Sequence, residues 1–329
     1  MASPGKLDRF DPHIPRAPQV NPWQTSGAYR SDLTLLRTLL GVAVGTSQRS
    51  GVIAGAVDVW AAEELRRAGF DADEVWPRRT SPRVMPRDVR NFVNLALTQK
   101  LRKEVEARFP TPGARKALPA EAHVMGSAYS KQSDVVVASW AAGVELLIST
   151  KTMFSSYQNN LRNRFEEGYG DAKNLRGRHP LASLGFIFVT GADIPDKGLE
   201  FATDMLRKLT TEPDVYDCAC LLVVDGAQGL EDESVEDEPR PIEEEPAALL
   251  SLNESDVVPD EAEPEEAGAA AVATEPGSAI TVLSDAVPEN LGPDLFFEHL
   301  IATALDRMPM TVYPEVRERR ANPQSSPRT

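Results

Sequence analysis

Two segments, LGFIFVT (184–190) and CACLLVVD (218–225), are apolar at nearly every position. A strand with one face in water alternates apolar and polar residues, so runs like these suit strands covered on both faces. Between them GLEFATDMLRKLT carries a helical period, which supplies part of that cover. Upstream, HVMGSAYS (123–130), SDVVVAS (133–139) and GVELLISTKTM (143–153) read as three short strands, the last two joined tightly through Trp140-Ala141-Ala142-Gly143. A polar helix, SSYQNNLRNRFEEGYG, follows with Tyr157, Leu161 and Phe165 as its inward stripe. The fold class is therefore α/β, a mixed sheet flanked by helices.

The boundaries follow from composition. Residues 1–30 hold prolines at 4, 12, 15, 18 and 22 without apolar period and are expected to form an irregular arm. A main domain of 31–225 opens with a helix capped by Ser31, with Leu33, Leu36, Leu39 and Leu40 on its apolar face. A second helix ends at Gly69, and a third runs from Pro86 to about residue 109 with Val93, Leu97, Leu101 and Val105 in line. Residues 226–290 are rich in Glu, Asp, Pro and Ala, the composition of a disordered linker. In the 291–329 tail, Phe296, Phe297, Leu300, Ile301, Ala304 and Leu305 share one helical face that must dock on the body, another copy or a protein partner.

Charge divides along the same line. Residues 1–225 hold 29 Lys plus Arg against 26 Asp plus Glu, a net of +3, while 226–329 hold 6 against 24, a net of −18. The body thus leaves a polyanionic ligand open despite the acidic total. Cys218 and Cys220 alternate onto one strand face as reduced core residues, and the four histidines show no zinc spacing. There is no membrane-spanning apolar stretch and no signal-peptide core, so a cytoplasmic location with no membrane partner is expected.

Chemistry concentrates at the far end of ELLISTKTM (145–153). Hairpin pairing about residues 140–143 brings Asp134, at the opening of one strand, beside Lys151, at the end of the next. Residues 145, 147, 149 and 151 are expected on one face, and Glu145 lies about 20 Å from Lys151 at a rise of roughly 3.3 Å per residue, too far to share a metal ion with it. Ser149 is the neighbour instead, and Glu166 and Glu167 on the next helix are the nearest further carboxylates. Singly, Lys151 and Asp134 are an ordinary strand-end lysine and turn acid; together they form a constellation.

A strand-opening Asp, a hairpin and a second strand ending in x-Lys resemble the PD-(D/E)xK nuclease superfamily, restriction endonucleases among them. Ser133 replaces the proline of that pattern, and Ser149 stands where the strand acid belongs. The second departure is similar to a subgroup of restriction endonucleases with Ser-x-Lys on the strand and a migrated helix glutamate. The resemblance implies a restriction-endonuclease-like sheet and a Mg²⁺-dependent DNA endonuclease, by family habit acting in defence against foreign DNA. It implies catalytic roles for Asp134, Ser149, Lys151 and Glu166 or Glu167, with Glu166 favoured. Mg²⁺ would be held by Asp134, Glu166 and the Thr150 carbonyl. DNA contacts would come from Lys131, Gln132, Gln158, Asn159, Asn160, Arg162, Arg164, Lys173, Arg176 and Arg178, residues with amide, ammonium and guanidinium groups suited to base edges and phosphates. A homodimer or larger homo-oligomer is expected, because cutting both strands takes two sites. The other reading is a non-catalytic DNA-binding or assembly subunit with an acidic, partner-recruiting tail.

Overall fold

The computed structural model describes residues 5–15, 20–44, 51–155, 157–226 and 280–324, without the side chains of residues 112, 115, 116, 158 and 159. The linker expected at 226–290 lies mostly outside these residues. Elements follow in the order α1 (Leu33–Val44), α2 (Val52–Ala68), β1 (Val75–Trp76), α3 (Arg87–Asn91), α4 (Gln99–Arg108), α5 (Pro112–Ala117), β2 (Ala122–Met125), β3 (Ser130–Ser133), β4 (Val135–Ser139) and β5 (Gly143–Met153). They continue as α6 (Tyr157–Arg178), β6 (Ser183–Gly191), α7 (Asp196–Thr211), β7 (Cys218–Asp225), β8 (Thr281–Val282), α8 (Pro293–Arg307) and α9 (Pro314–Ala321). This is a mixed α/β architecture: one six-stranded sheet, order β1-β4-β5-β6-β7-β8, and a small β2–β3 hairpin.

The apolar runs occupy the centre. β5, β6 and β7 are parallel, whereas β1–β4, β4–β5 and β7–β8 pair antiparallel. On one face Ile148, Ile187, Cys220 and Leu222 pack against α1, α2 and α8; on the other Leu147, Phe186, Phe188 and Leu221 pack against α6 and α7. Both cysteines are free and buried on the first face, as their spacing predicts. The aromatic centre of that face joins distant parts of the chain: Phe297 contacts Tyr29 at 5.5 Å and Trp60 at 5.3 Å. The described parts of the arm, 5–15 and 20–30, are therefore tied down through Phe10, Ile14, Trp23 and Tyr29. All six apolar residues predicted on α8 are buried against the chain's own sheet, so that face is not open to a protein partner.

Four local expectations are corrected. Asp32, not Ser31, caps α1, its Oδ1 accepting from the Thr34 and Leu35 N–H groups at 3.0 Å. The helix after Pro86 is broken: Leu97 is extended, Thr98 caps α4, and of the expected stripe only Val93 is buried. HVMGSAYS is not one strand but the first arm and turn of the β2–β3 hairpin, closed by Gly126 N–H donating to Tyr129 O at 2.9 Å. KNLRGR continues α6 rather than following it. Its glycines permit close approach, since a Cβ at Gly168 would lie 3.0 Å from the Phe186 ring and one at Gly177 would lie 2.9 Å from Ser127 Oγ.

Candidate active site

The β4–β5 ladder sets the site. Val135 pairs with Ile148, which places Asp134 opposite Ser149, and Asp134 Oδ2 accepts the Thr150 N–H at 2.7 Å. This bond fixes the acid at the carboxyl end of β5, where open α/β sheets hold their ligands. Lys151 is one residue on, its Nζ 2.9 Å from Glu167 Oε2. Arg164 approaches the same carboxylate at 3.4 Å. Burial alone would raise the Glu167 pKa, but the charges and hydrogen bonds of Lys151 and Arg164 outweigh it and hold the carboxyl below its usual range.

The structure thus brings Glu167, not the favoured Glu166, to Lys151. Glu166 lies on the outer face of α6, 60% exposed and paired with Arg162 at 2.7 Å. The helical period explains this: Phe165 is buried, and the next residue turns toward solvent while Glu167 comes round to the β5 edge. Ser149 is buried beneath this edge, near the buried Tyr216 phenol.

Glu145 also leaves the site, for a further reason. Val137 pairs with Leu146 but Ala138 with Val144, so Glu145 is the extra residue of a β-bulge and falls out of the expected alternation. It is buried, accepting from Ser139 Oγ at 2.8 Å and from the Tyr313 hydroxyl.

A residue the motif does not predict completes the floor. Asp58 on α2 and Asp134 both line a cleft of about 1160 Å³, walled by Lys6, Trp76, Arg83, Arg90 and Phe109. Burial and the charge of Asp134 push the Asp58 carboxyl well above its usual pKa, with the nearby Thr150 and Lys6 working the other way. Burial also raises Asp134, opposed by the Thr150 N–H and by Lys151, Lys131 and Lys6. Asp58 Oδ1 is enclosed without a hydrogen-bond partner. Its sequence signal is a lone acid inside the apolar helix GVIAGAVDVW. The neighbouring acids on the same helix have other work: Glu63 binds Arg66 and Arg79, and Glu64 binds Arg67 and the Tyr29 hydroxyl.

Among the described residues, no three His, Cys, Asp or Glu are grouped to hold a metal ion. Mg²⁺ needs fewer protein ligands, keeping several waters and binding through one or two carboxylates plus substrate phosphate. The Asp58–Asp134 pair, which shares one cleft and includes a buried oxygen without a hydrogen-bond partner, fits that chemistry. The Thr150 N–H is committed to Asp134.

The expected DNA contacts scatter. Gln132 is exposed and lines the cleft. Lys131 lies beside the site but is paired with Asp171 at 2.7 Å. Arg162 and Arg164 are engaged by Glu166 and Glu167, Asn160 is half-buried, and Arg178 is exposed. Lys173 Nζ donates to Pro213 O at 2.6 Å. Arg176 is corrected to a structural residue: buried, it donates to the Ala182 and Val215 carbonyls and to Asp217. The side chains of Gln158 and Asn159 lie outside the described ones.

Comparison with protein-family models, with curated proteins and with solved structures finds no match to this chain. Among the described residues no helix is long and apolar enough to cross a membrane.

Proposed function

We propose that this chain is a metal-dependent endonuclease acting on DNA, with the reacting phosphodiester at the end of β5. The observation that carries the reading is the juxtaposition of two carboxylates, Asp58 and Asp134, lining one cleft, with a lysine one residue beyond the backbone N–H that holds Asp134. Asp58 and Asp134 would hold Mg²⁺, which replaces the Glu166 assignment. When bound, the ion supplies charge to the phosphate oxygens and lowers the pKa of a coordinated water.

The chain's own groups perform the rest. Thr150 N–H aims the Asp134 carboxylate. Lys151 places a positive charge where negative charge gathers on phosphate during attack. Glu167, which Arg164 also approaches, fixes the Lys151 side chain, so that its ammonium is oriented before substrate arrives. On the cleft wall Lys6 is exposed and would meet a flanking phosphate, whereas Arg83 is paired with Asp8 and Asp11 and Arg90 with Glu106.

The Lys151–Glu167 pair also favours a second reading. A lysine already neutralised by a carboxylate suits a DNA-binding or assembly subunit without catalysis. Incubating purified protein with plasmid and single-stranded DNA in Mg²⁺ or Mn²⁺ separates the two. Cleavage that falls at least about 100-fold in both Asp134→Asn and Lys151→Ala supports the enzyme. Absence of cleavage on every substrate, or a Lys151→Ala protein as active as wild type, overturns it.

A further inference from the structure

The segment from residue 87 to 118 takes no part in the chemistry above, yet its composition is unusual. It holds eight Lys plus Arg against three Asp plus Glu, a net of +5, which exceeds the net +3 of residues 1–225 as a whole. Among its described apolar side chains only Val93 is buried. Phe92 is 61% exposed and Leu95 83%, both on the π-helical turn at Phe92–Ala96 that follows α3. On α4, Lys100 is 87% exposed, with only a loose 3.9 Å approach to Glu104, and Lys103 is exposed as well.

These side chains stand on a built framework. Val93 anchors the turn in the protein, the Arg102 guanidinium donates to the Asn94 carbonyl, and Arg90 bonds Glu106 at 2.9 Å to tie α3 to α4. π-helical turns are frequent at functional sites. The location adds meaning, because Arg90, Glu106 and Phe109 form one wall of the cleft that holds Asp58 and Asp134. An exposed apolar patch alone would suit a protein partner. Combined with an excess of cations beside a carboxylate-floored cleft, it calls for a polyanion with flat apolar faces, and nucleic acid has both.

We propose that α3, the π-helical turn and α4 form a nucleic-acid-engaging arm: Phe92 and Leu95 contact the faces of unpaired bases in single-stranded or opened DNA, while Lys100 and Lys103 hold phosphates. The arm rests on the proposed DNA substrate but not on catalysis, so it is tested by binding in the absence of metal. With full-length Asp134→Asn protein in EDTA, fluorescence anisotropy would compare a labelled 20-nucleotide strand with its duplex. Phe92→Ala/Leu95→Ala should weaken single-strand binding by about tenfold, the scale of lost base stacking. Lys100→Glu/Lys103→Glu should weaken binding and flatten the dependence of log K on log salt by about 1.4, roughly 0.7 for each lost phosphate contact on a single strand. Both changes are at exposed positions, and an unaltered thermal midpoint would confirm folding. Two double variants that bind like the parent overturn the arm, whatever the cleavage assays show; so does a parent that binds no nucleic acid. A patch variant that loses self-association and keeps DNA affinity assigns the surface to a second copy of this chain and also overturns it. Wild-type protein that binds through these residues but cleaves no substrate in Mg²⁺ or Mn²⁺ leaves the arm standing and removes the enzyme.

Discussion

Asp58 and Asp134 are two half-buried acids that line one cleft, and the consequence can be worked out in sign. Each has a folded-state pKa above its unfolded value, Asp58 by burial and its neighbour's charge, Asp134 by burial. The stability they contribute is fully present below the unfolded carboxylate pKa of about 3.9 and is lost as pH rises through the raised folded values. At pH 8 the ionised pair is a liability that a divalent cation relieves. Mg²⁺ should therefore raise the thermal midpoint more at pH 8 than at pH 5. At a hundredfold excess over Kd the gain is about 2.7 kcal/mol, or roughly 4–5 °C for a chain of this size. Asp58→Asn should abolish the gain and make the metal-free protein more stable at pH 8 than wild type. An undiminished Mg²⁺ shift in Asp58→Asn, followed by differential scanning calorimetry, would remove Asp58 from the metal site.

Between elements, the same kind of buried acid serves structure instead. Glu145 is the bulged residue of β5 and is held by Ser139 and by Tyr313, just before α9. Tyr313→Phe removes one donor from this enclosed carboxylate and should cost about 1–3 kcal/mol in urea unfolding. Cleavage per folded molecule should stay at the wild-type rate; a selective loss of activity would place Glu145 in the chemistry after all. This pair also marks where sequence stopped being informative. The apolar runs of β6 and β7, the Asp134–Lys151 hairpin and the α8 stripe are legible because each depends on local period or on a short turn. The bulge is not, since its reason sits 168 residues away in Tyr313. Nor is the break at Leu97, where an apolar residue fits the helical stripe yet adopts an extended backbone. Glu166 and Glu167 differ by one position, and only the azimuth of α6 against β5 distinguishes them. Asp58 had a visible signal, one acid in the apolar first half of its helix, but its partner lies 76 residues on, just before β4.

At the scale of the whole chain, charge and topology meet at one edge. β7 ends at Asp225 and β8 begins at Thr281, and these two residues are paired with each other. The sequence between them, residues 227–279, carries 17 Asp plus Glu and one Arg, a net of −16, so the rest of the chain is near neutral at +1. Because β5, β6 and β7 are parallel, this segment is tethered at the same end of the sheet as Lys151, two strands across, or about 10 Å laterally. Its net charge has the sign that repels DNA phosphates, a force that decays over a Debye length of about 10 Å at 0.1 M salt. Replacing 227–279 by a four-residue Gly/Ser turn should keep the fold, since a paired hairpin end already exists, and the shorter loop should lower closure entropy by about 2 kcal/mol. The shortened protein should bind DNA more tightly than the full chain at 50 mM salt, with the difference shrinking as salt rises toward about 1 M, where screening reaches about 3 Å. The measurement is a salt series of binding isotherms on both proteins. Equal affinities at low salt would show that the acidic segment does not act on the DNA site. A tighter shortened protein whose advantage persisted at high salt would show that the segment acts by something other than charge.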